Sequence, residues 1–438
     1  MNRKLFFITI ILLILIIGGI PFYFKPELVE VRSNNKAIFQ GKIAKSFKIF
    51  QKEANKSNRL LELVENREHH ELRQAPGWGT VSLLIDENDL IDKEIGIITH
   101  SNQRGPLWER PAFFSYFENG EELISSYVGL RLHGGKSRRS DYHYNNSYRI
   151  YLRKRYGENQ MPENFSIGNN KLELERLVLH RDEPPEKKFI NDFAYFLTRF
   201  FGGDAPETKP VLTFINGQFK GYYYIVEHLS RKHLETKFKT KDLIYFRLKS
   251  DNDQQDRIEL KKILTYFIHA PKPISLAEVS KFLDIESYIS SVFPIIFLGT
   301  TDYDQGVIYR LNDKIDKRWK YINWDMDHSF YDLKSQAPIN EEWKKEALDL
   351  LLVRDGSTLR SKVFRRLFLE SPEFKKLFLE YSFEQLKKLK PKIWQERLQY
   401  YRQLAEVEKI DIEKHLRFLD NWLAKRIEFV TQDLLKYN

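Results

Sequence analysis

Four aspartates carry the strongest chemical signal in this chain. Asp302 and Asp304 stand at one end of the stretch Thr300 to Phe330, and Asp325 and Asp327 stand at the other. Between them, Val307 to Leu311 and Arg318 to Ile322 read as two strands around Asn312-Asp313. The pattern predicts a hairpin, and its return brings both acidic ends together. Converging carboxylates are costly unless a cation neutralises them, and hard oxygen ligands suit magnesium or manganese. Magnesium takes one or two carboxylates and fills its shell with substrate phosphates. Acids also gather in turns because they cap and solvate them, so spacing alone leaves both readings open.

A second candidate is basic. Val128 to Arg139 holds Gly129, Gly134 and Gly135 among Arg131, Lys136, Ser137, Arg138 and Arg139. Small residues let a backbone approach phosphate, and Lys and Arg neutralise it. The spacing is neither G-x-G-x-x-G nor a Walker sequence, and a solvated basic turn reads equally well. His133 and His328 read as structural. The eleven histidines show no H-E-x-x-H spacing, which argues against a zinc hydrolase. Glu227 follows an aromatic strand. It is placed either to pair with a phosphate-binding base or to face the positive end of a helix dipole.

These residues need elements to hold them. Val81 to Ile85 reads as a strand. Val211 to Ile215 and Gln218 to Val226 flank Asn216-Gly217, the strongest short hairpin signal, and Gly221 suggests a bulge. Phe189, Phe193, Phe196, Leu197 and Phe200 line one helix face that ends at Gly202-Gly203. Asp284 is placed to cap a helix with Ile285, Ile289, Val292 and Ile296 that ends near Gly299, with a kink expected at Pro294. Beyond about residue 336 the strands stop. Phe374, Leu377, Phe378 and Tyr381 form one helical stripe. Leu416, Leu419, Leu423, Ile427, Val430 and Leu434 form another, and core packing accounts for both.

Leu5 to Phe24 contains no charge, and twenty residues at about 1.5 Å span about 30 Å of hydrocarbon. Phe22 and Tyr23 resemble an interfacial anchor more than a cleavage site. The expectation is a single-pass membrane protein, anchored in the lipid bilayer through residues 5–24, with its main domain extracytoplasmic. Phe39, Ile43, Phe47 and Phe50, with lysines between them, predict an amphipathic helix packed on the membrane or on the protein body. The 438 residues carry 71 Lys and Arg against 61 Asp and Glu, a net charge of +10. The two signs interleave, so no nucleic-acid partner is indicated. With no cysteine, thiol catalysis, iron–sulfur clusters, cysteine-bound zinc and disulfide scaffolds are excluded.

The order of an acid after a helix, a hairpin and an acid past the last strand is that of the catalytic-loop and metal-binding aspartates of protein kinases. Several segments together resemble the CotH kinase family, the spore coat protein H type of atypical protein kinase. They are Gly96-Ile97 through Trp108-Glu109-Arg110-Pro111-Ala112, Gly129 to Gly135 with Ser137-Arg138, and Ser147-Tyr148-Arg149-Ile150. Leu177 to Asp182, Phe214 to Gly217 through Gly221-Tyr222-Tyr223 to Glu227, Gly299 to Asp302, and Asn323-Trp324-Asp325-Met326-Asp327 complete the set. The resemblance covers about residues 80 to 335, and the helical tail fits it.

That resemblance implies an α+β, distantly protein-kinase-like fold with an all-helical C-terminal part, preceded by one N-terminal transmembrane helix. Its divisions would be an anchor (1–24), a helical juxtamembrane segment (25–79), a kinase-like body (80–335) and a helical end of the same domain (336–438). It implies ATP with Mg2+ or Mn2+, and phosphate transfer to protein hydroxyls. Asp302 matches the catalytic aspartate, and Asp325 matches the metal-binding aspartate with Asp327 beside it. Arg131, Ser137 and Arg138 match the basic segment near the nucleotide, and Glu227 the acid after the aromatic strand. Many members carry a Lys where this chain has Asn145-Asn146-Ser147, which leaves Arg149, Lys136 or Arg138 to take its place. An Asn often follows the catalytic Asp by about five residues. Here that position is Val307, and Gln305 is the nearest amide. The alternative is a catalytically inactive kinase-fold protein acting in surface, coat or envelope assembly, with a protein partner in place of a protein substrate.

Overall fold

The computed structural model describes residues 58–66, 78–135, 138, 146–158, 160–168, 175–182, 188–248, 254–303, 305–330, 348–352, 358–408 and 411–438. The expected membrane segment, the amphipathic pattern at Phe39 to Phe50, Asp304 and Ser137 lie outside them. Among the described residues no helix is long and apolar enough to cross a membrane.

The chain is α+β with a helical C-terminal part. Seven strands close into a barrel: β1 (Gly79–Leu84), β2 (Arg110–Glu118), β3 (Glu121–His133), β4 (Ser147–Tyr151), β5 (Arg176–His180), β6 (Thr208–Ile215) and β7 (Gln218–Glu227). Their order around the barrel is β1-β2-β3-β4-β5-β7-β6. Closure comes from a parallel pair between β1 and β6, with Gly79 opposite Val211. The β6–β7 turn is the predicted Asn216-Gly217, and both residues have positive φ, 49° and 75°, as a type I′ turn requires. Asn216 also ties the barrel shut. Its Oδ1 accepts from the Ile85 amide and its Nδ2 donates to the Ile85 carbonyl, each at 2.9 Å. The register shifts beside Gly221, whose φ is 98°, so the bulge falls where the glycine stands.

Strand alternation divides the residues into two layers. Val81, Leu83, Phe114, Leu130, Ile150, Leu177, Leu179 and Ile225 share the barrel's own core. Their neighbours Val178, Leu212, Phe214, Tyr222, Tyr224 and Val226 face outward into the larger core of the helical half. Helix α1 (Asn58–Glu65) covers β1 and β2, and α2 (Glu87–Ile91) follows β1. Helix α3 (Ile190–Phe200) lies between β5 and β6 in sequence. Its Asp192 binds Arg397 Nη2 at 2.6 Å and accepts from the Tyr401 hydroxyl. That buried contact joins barrel-side α3 to the C-terminal helices.

After β7 come α4 (Arg231–Phe238), β8 (Leu243–Arg247), α5 (Gln254–His269) and α6 (Leu276–Ser280). Next are α7 (Ile285–Leu298), β9 (Val307–Leu311) and β10 (Lys320–Ile322). The predicted β9–β10 hairpin forms, and β8 joins it as a third strand. The tail is α8 (Asp349–Leu352), α9 (Leu359–Glu370), α10 (Pro372–Lys388), α11 (Pro391–Glu408) and α12 (Glu413–Leu435).

Helix α7 is the axis of this half. Asp284 caps it by accepting from the Ser287 amide, Gly299 ends it in the left-handed region, and the helix runs through Pro294. Every residue from Tyr288 to Leu298 is buried, Ser290 and Ser291 included, as a mostly apolar helix demands. The α12 stripe faces the same core, with Ile427 partly buried at its edge. In the α10 stripe, Phe374 and Phe378 are buried but Leu377 is 43% exposed, because the helix packs on a narrower face than the sequence pattern suggests.

Arg426 of α12 is fully buried and donates to the Ile296 and Phe297 carbonyls, each at 2.8 Å, at the C-terminal end of α7. These are carbonyls that a helix end leaves without intrahelical partners. Arg426→Ala should strip the Phe297 carbonyl of its guanidinium donor, leave the Ile296 carbonyl with the 3.3 Å bond from the Gly299 amide, and open a cavity, at a cost of about 3 kcal/mol or more. Urea unfolding of the variant beside the parent measures this. A loss below about 1 kcal/mol would show that α7 does not need this cap.

Candidate functional site: an acidic cleft facing a basic sheet

Three backbone and hydroxyl contacts hold the end of α7 against the segment after β10. The Thr301 amide donates to the His328 carbonyl at 3.3 Å, and the Phe330 amide to the Leu298 carbonyl at 2.9 Å. The Thr300 and Ser329 hydroxyls share a 2.8 Å bond. Asp302 and the pair Asp325 and Asp327 therefore converge, as the hairpin reading expects. Gln305 Nε2 donates to Asp302 Oδ2 at 3.2 Å, so its role here is to hold the Asp302 carboxylate.

Helix α3 shapes the acidic turn. Asp325 sits in the left-handed region at φ 58°, and its amide donates to the Tyr195 hydroxyl at 3.0 Å. The Met326 amide donates to Asn191 Oδ1 at 2.8 Å. A non-glycine residue in this conformation costs energy, and it persists where the surroundings over-determine it. Burial pushes the Asp325 carboxyl up to about 7, and the like charges of Asp327 and Asp302 add to that against the opposing pull of His180 and His328. Such a carboxylate is short of positive charge.

Arg360 is the residue that sequence reading missed. It is 1% exposed, comes from α9, and donates to the Tyr303 carbonyl at 2.9 Å and the Gln305 carbonyl at 3.2 Å. Its other terminal nitrogen reaches Asn323 Oδ1 at 3.0 Å. One guanidinium thus holds the loop of Asp302 and the approach to Asp325 in fixed relation. An arginine on a helix far along the chain reads as solvent-facing, so no local signal marks it.

Opposite the acids lies the outward face of β3, β4, β5 and β7. His180 is 3.3 Å from Asp182, and the Tyr224 hydroxyl donates to Asp182 at 2.9 Å. Burial alone would lower the His180 pKa, but Asp182, Asp325 and Asp327 overcome it and raise it. His180 and Asp182 lie inside a motif noted in the sequence but given no role there. Arg149 is paired across the strands with Arg131 and bonds His133 Nδ1 at 2.9 Å. Burial, then Arg149, drives His133 well below its usual range.

The expected nucleotide residues divide. Arg149 lies on this face. Arg138 donates to the Gln103 carbonyl at 2.6 Å, and burial with Arg104 and Arg149 lowers its pKa to about 10. Arg131 stands in β3 rather than in a glycine loop, and it is bound to Glu109 at 2.6 and 2.8 Å. Buried Glu109 also takes Arg153 at 3.1 Å, Arg155 and the Tyr156 hydroxyl. A Cβ on Gly129 would meet Glu109 Oε1 at 2.5 Å, which explains the glycine beside that carboxylate.

Glu227 ends β7 and does not open a helix, since Ser230 caps α4. Its register partner is Leu177, of the barrel core, so it alternates away from the face that carries Arg149. His233 lies 3.9 Å from it; burial holds His233 near pKa 4, so the contact is not an ion pair. Among the described residues no three His, Asp or Glu side chains form a ready-made metal cage.

The family model for CotH kinase protein matches residues 130–426. A search of curated proteins gave no match.

Two outcomes follow from this geometry. Folding raises the Asp325 pKa from 3.8 to about 7, so the folded state keeps a proton that the unfolded chain releases. Without added metal, stability should then fall as pH rises from about 4 to about 7. Asp325→Asn should flatten that curve and be more stable than the parent at pH 8 by about 2–4 kcal/mol, with the two equal near pH 4. Parallel slopes in chemical denaturation would refute the assignment. For Arg360→Leu, hydrogen exchange should speed up at the amides of Tyr303 to Val307 more than in α7; uniform protection would mean that the clamp is dispensable.

Proposed function

The chain belongs to the CotH kinase family, and on that premise we propose that it is a membrane-anchored, divalent-metal-dependent atypical kinase that transfers the γ-phosphate of ATP to protein hydroxyls. The observation that carries this reading is the convergence of Asp302, Asp325 and Asp327, with Asp325 short of positive charge, opposite a face rich in arginine and histidine. In this reading the barrel and the helical half are the two lobes of a distantly kinase-like fold, with the nucleotide between them.

Asp302, held by Gln305, orients the acceptor hydroxyl and takes up its proton. Mg2+ or Mn2+ would be held by Asp325 and Asp327 and, when bound, would neutralise the phosphate charge. Two carboxylates without a closed cage suit magnesium, which completes its shell with water and phosphate oxygens. Arg149 and Arg138 stand nearest the role of the missing lysine, with Ser137 beside them in sequence. Arg131 acts through Glu109 and the sheet. Glu227 acts through the strand end that it anchors. Catalysis of this type is mostly positioning and electrostatics. The anchor would be residues 5–24, with the body outside the cytoplasm and a protein of the envelope or coat as its substrate.

A second reading, an inactive assembly factor of the same fold, is favoured by two observations. Buried Asn146 stands where a lysine is expected, and Arg131 is already committed to Glu109.

Incubating the protein with γ-labelled ATP and magnesium or manganese separates the two. Label should enter protein, and Asp302→Ala and Asp325→Ala should each cut it by about 100-fold or more. Nucleotide with metal at 100 times its dissociation constant should also add about 2.7 kcal/mol of stability. No incorporation and no thermal shift would favour the inactive reading.

A further inference from the structure

The mouth of the barrel holds a cavity of about 570 Å³, walled by Leu90, Ile91, Ile98, Tyr148 and Ile215 with Glu87 at its rim. Tyr148 and Ile215 belong to the barrel's own core, so the cavity continues the barrel interior. Arg149 and His133 alternate to the opposite, outward face of the same strands.

Apolar surface continues beyond the cavity. Ile91 is 54% exposed, Ile95 45% and Leu107 88%. Asp92, next to Ile91, accepts from the Ile95 amide at 3.1 Å. Arg110 donates to the Ile95 and Leu107 carbonyls at 2.7 and 2.9 Å, which holds these residues in one surface. Single exposed apolar side chains are ordinary, but a group of them joined to an apolar cavity marks a binding surface.

The border of this surface is acidic. Asp86 to Glu94 carries five carboxylates against Lys93, a net charge of −4. Asp86 is taken by the Asn88 amide, and Asp89 faces Arg110 at 3.4 Å. Glu87 and Glu94 are exposed and Asp92 is half-buried. Lys220, on the far rim, donates to Gln218 at 3.0 Å.

The chain itself supplies the complement. Arg59, at the start of α1, lies 3.6 Å from Glu87, so the residues that precede α1 reach the barrel at the rim of the cavity. Lys36 to Lys56 holds six lysines against Glu53, a net charge of +5. Among them fall Phe39, Ile43, Phe47 and Phe50, the apolar pattern that suits either a membrane or the protein body. Phe50 precedes Asn58 by eight residues, which reach about 26 Å, so the pattern falls within range of the cavity. An anionic lipid surface would be repelled by the same carboxylates, which favours the protein body.

We propose that the cavity and its apolar border are the docking site of the chain's own residues 39–50. Phe47 and its apolar neighbours fill the cavity, and Lys42, Lys45 and Lys48 face Glu87, Asp92 and Glu94. Docked in this way, the segment ties the expected membrane anchor to the mouth of the barrel. The contact stands whether or not the cleft transfers phosphate.

The chain has no cysteine, so paired cysteines report the contact directly. In the full-length protein in detergent micelles, Phe47→Cys with Ile91→Cys should form an intramolecular disulfide. It should form about tenfold or more faster than Phe47→Cys with Ile315→Cys, although Ile315 is the more exposed of the two isoleucines. In Phe47→Asp, hydrogen exchange should speed up severalfold at the amides of Leu90 to Thr99 and stay unchanged in β8 to β10. Melting curves check that the variants fold, and the exchange measurement decides alone if a cysteine pair does not. Equal disulfide rates for the two pairs would overturn the proposal. So would disulfides formed only between chains, which would make the occupant a second copy. Unchanged exchange in Phe47→Asp, with protection of Leu90 to Thr99 appearing only on adding anionic lipid vesicles, would also overturn it and assign the surface to lipid.

Discussion

The cleft depends on one helix whose position is not negotiable. Helix α7 is buried on every side from Tyr288 to Leu298 and mostly apolar, so it is stable only when surrounded. Barrel-side α3, the three-stranded sheet and the C-terminal helices α10 and α12 all pack against it. Gly299 and Arg426 then decide where the chain leaves it. The left-handed glycine turns the backbone, and the buried guanidinium takes the last carbonyls while lying over the Trp422 and Phe429 rings at 5.4 and 5.3 Å. Burying that charge costs several kcal/mol, and the carbonyls and rings offset it. Asp302 sits three residues beyond Gly299, so its placement inherits the rigidity of the core.

Electrostatics gives the cleft its polarity. On one wall, carboxylates approach one another closely enough to hold back ionisation of Asp325. On the other, arginines and histidines crowd until burial and mutual repulsion depress several of them. Each wall is short of the opposite charge, and neither could persist without a scaffold supplied by apolar packing. Glu109 shows how the basic wall is tolerated. A single buried carboxylate takes three arginines and a tyrosine hydroxyl, and its own pKa drops although burial opposes this. Arg149 and Arg176 lie outside this cluster, and neither makes an ion pair with a carboxylate among the described residues.

Arg360 does for the loops what Glu109 does for the strands. It gathers two backbone carbonyls and one side-chain amide from two segments that the hairpin separates in sequence. Hydrogen bonds from a charged group contribute roughly 1.5–3 kcal/mol each, more than neutral ones. That suffices to order a short loop whose backbone entropy would otherwise cost about 1–2 kcal/mol per residue. The C-terminal helices are therefore part of the cleft's geometry as well as its support.

What the sequence by itself determined is whatever depends on neighbours in the chain. The Asn216-Gly217 turn, the Gly221 bulge, the Asp284 cap, the Gly299 stop and the α12 stripe were all legible, because each follows from local dihedral preference or from a short period of apolar residues. The meeting of Asp302 with Asp325 and Asp327 was legible for the same reason, since a hairpin returns its own ends. Tertiary structure alone decided the closure of the barrel, where Gly79 meets Val211, and the alternation that turns Glu227 away from Arg149. It alone committed Arg131 to Glu109, and it alone brought Arg360, Tyr195 and Asn191 to the acids. Those contacts join residues far apart in the chain. Such partners are selected by the packing of whole elements, and nothing in the spacing of a single segment records which distant segment will face it.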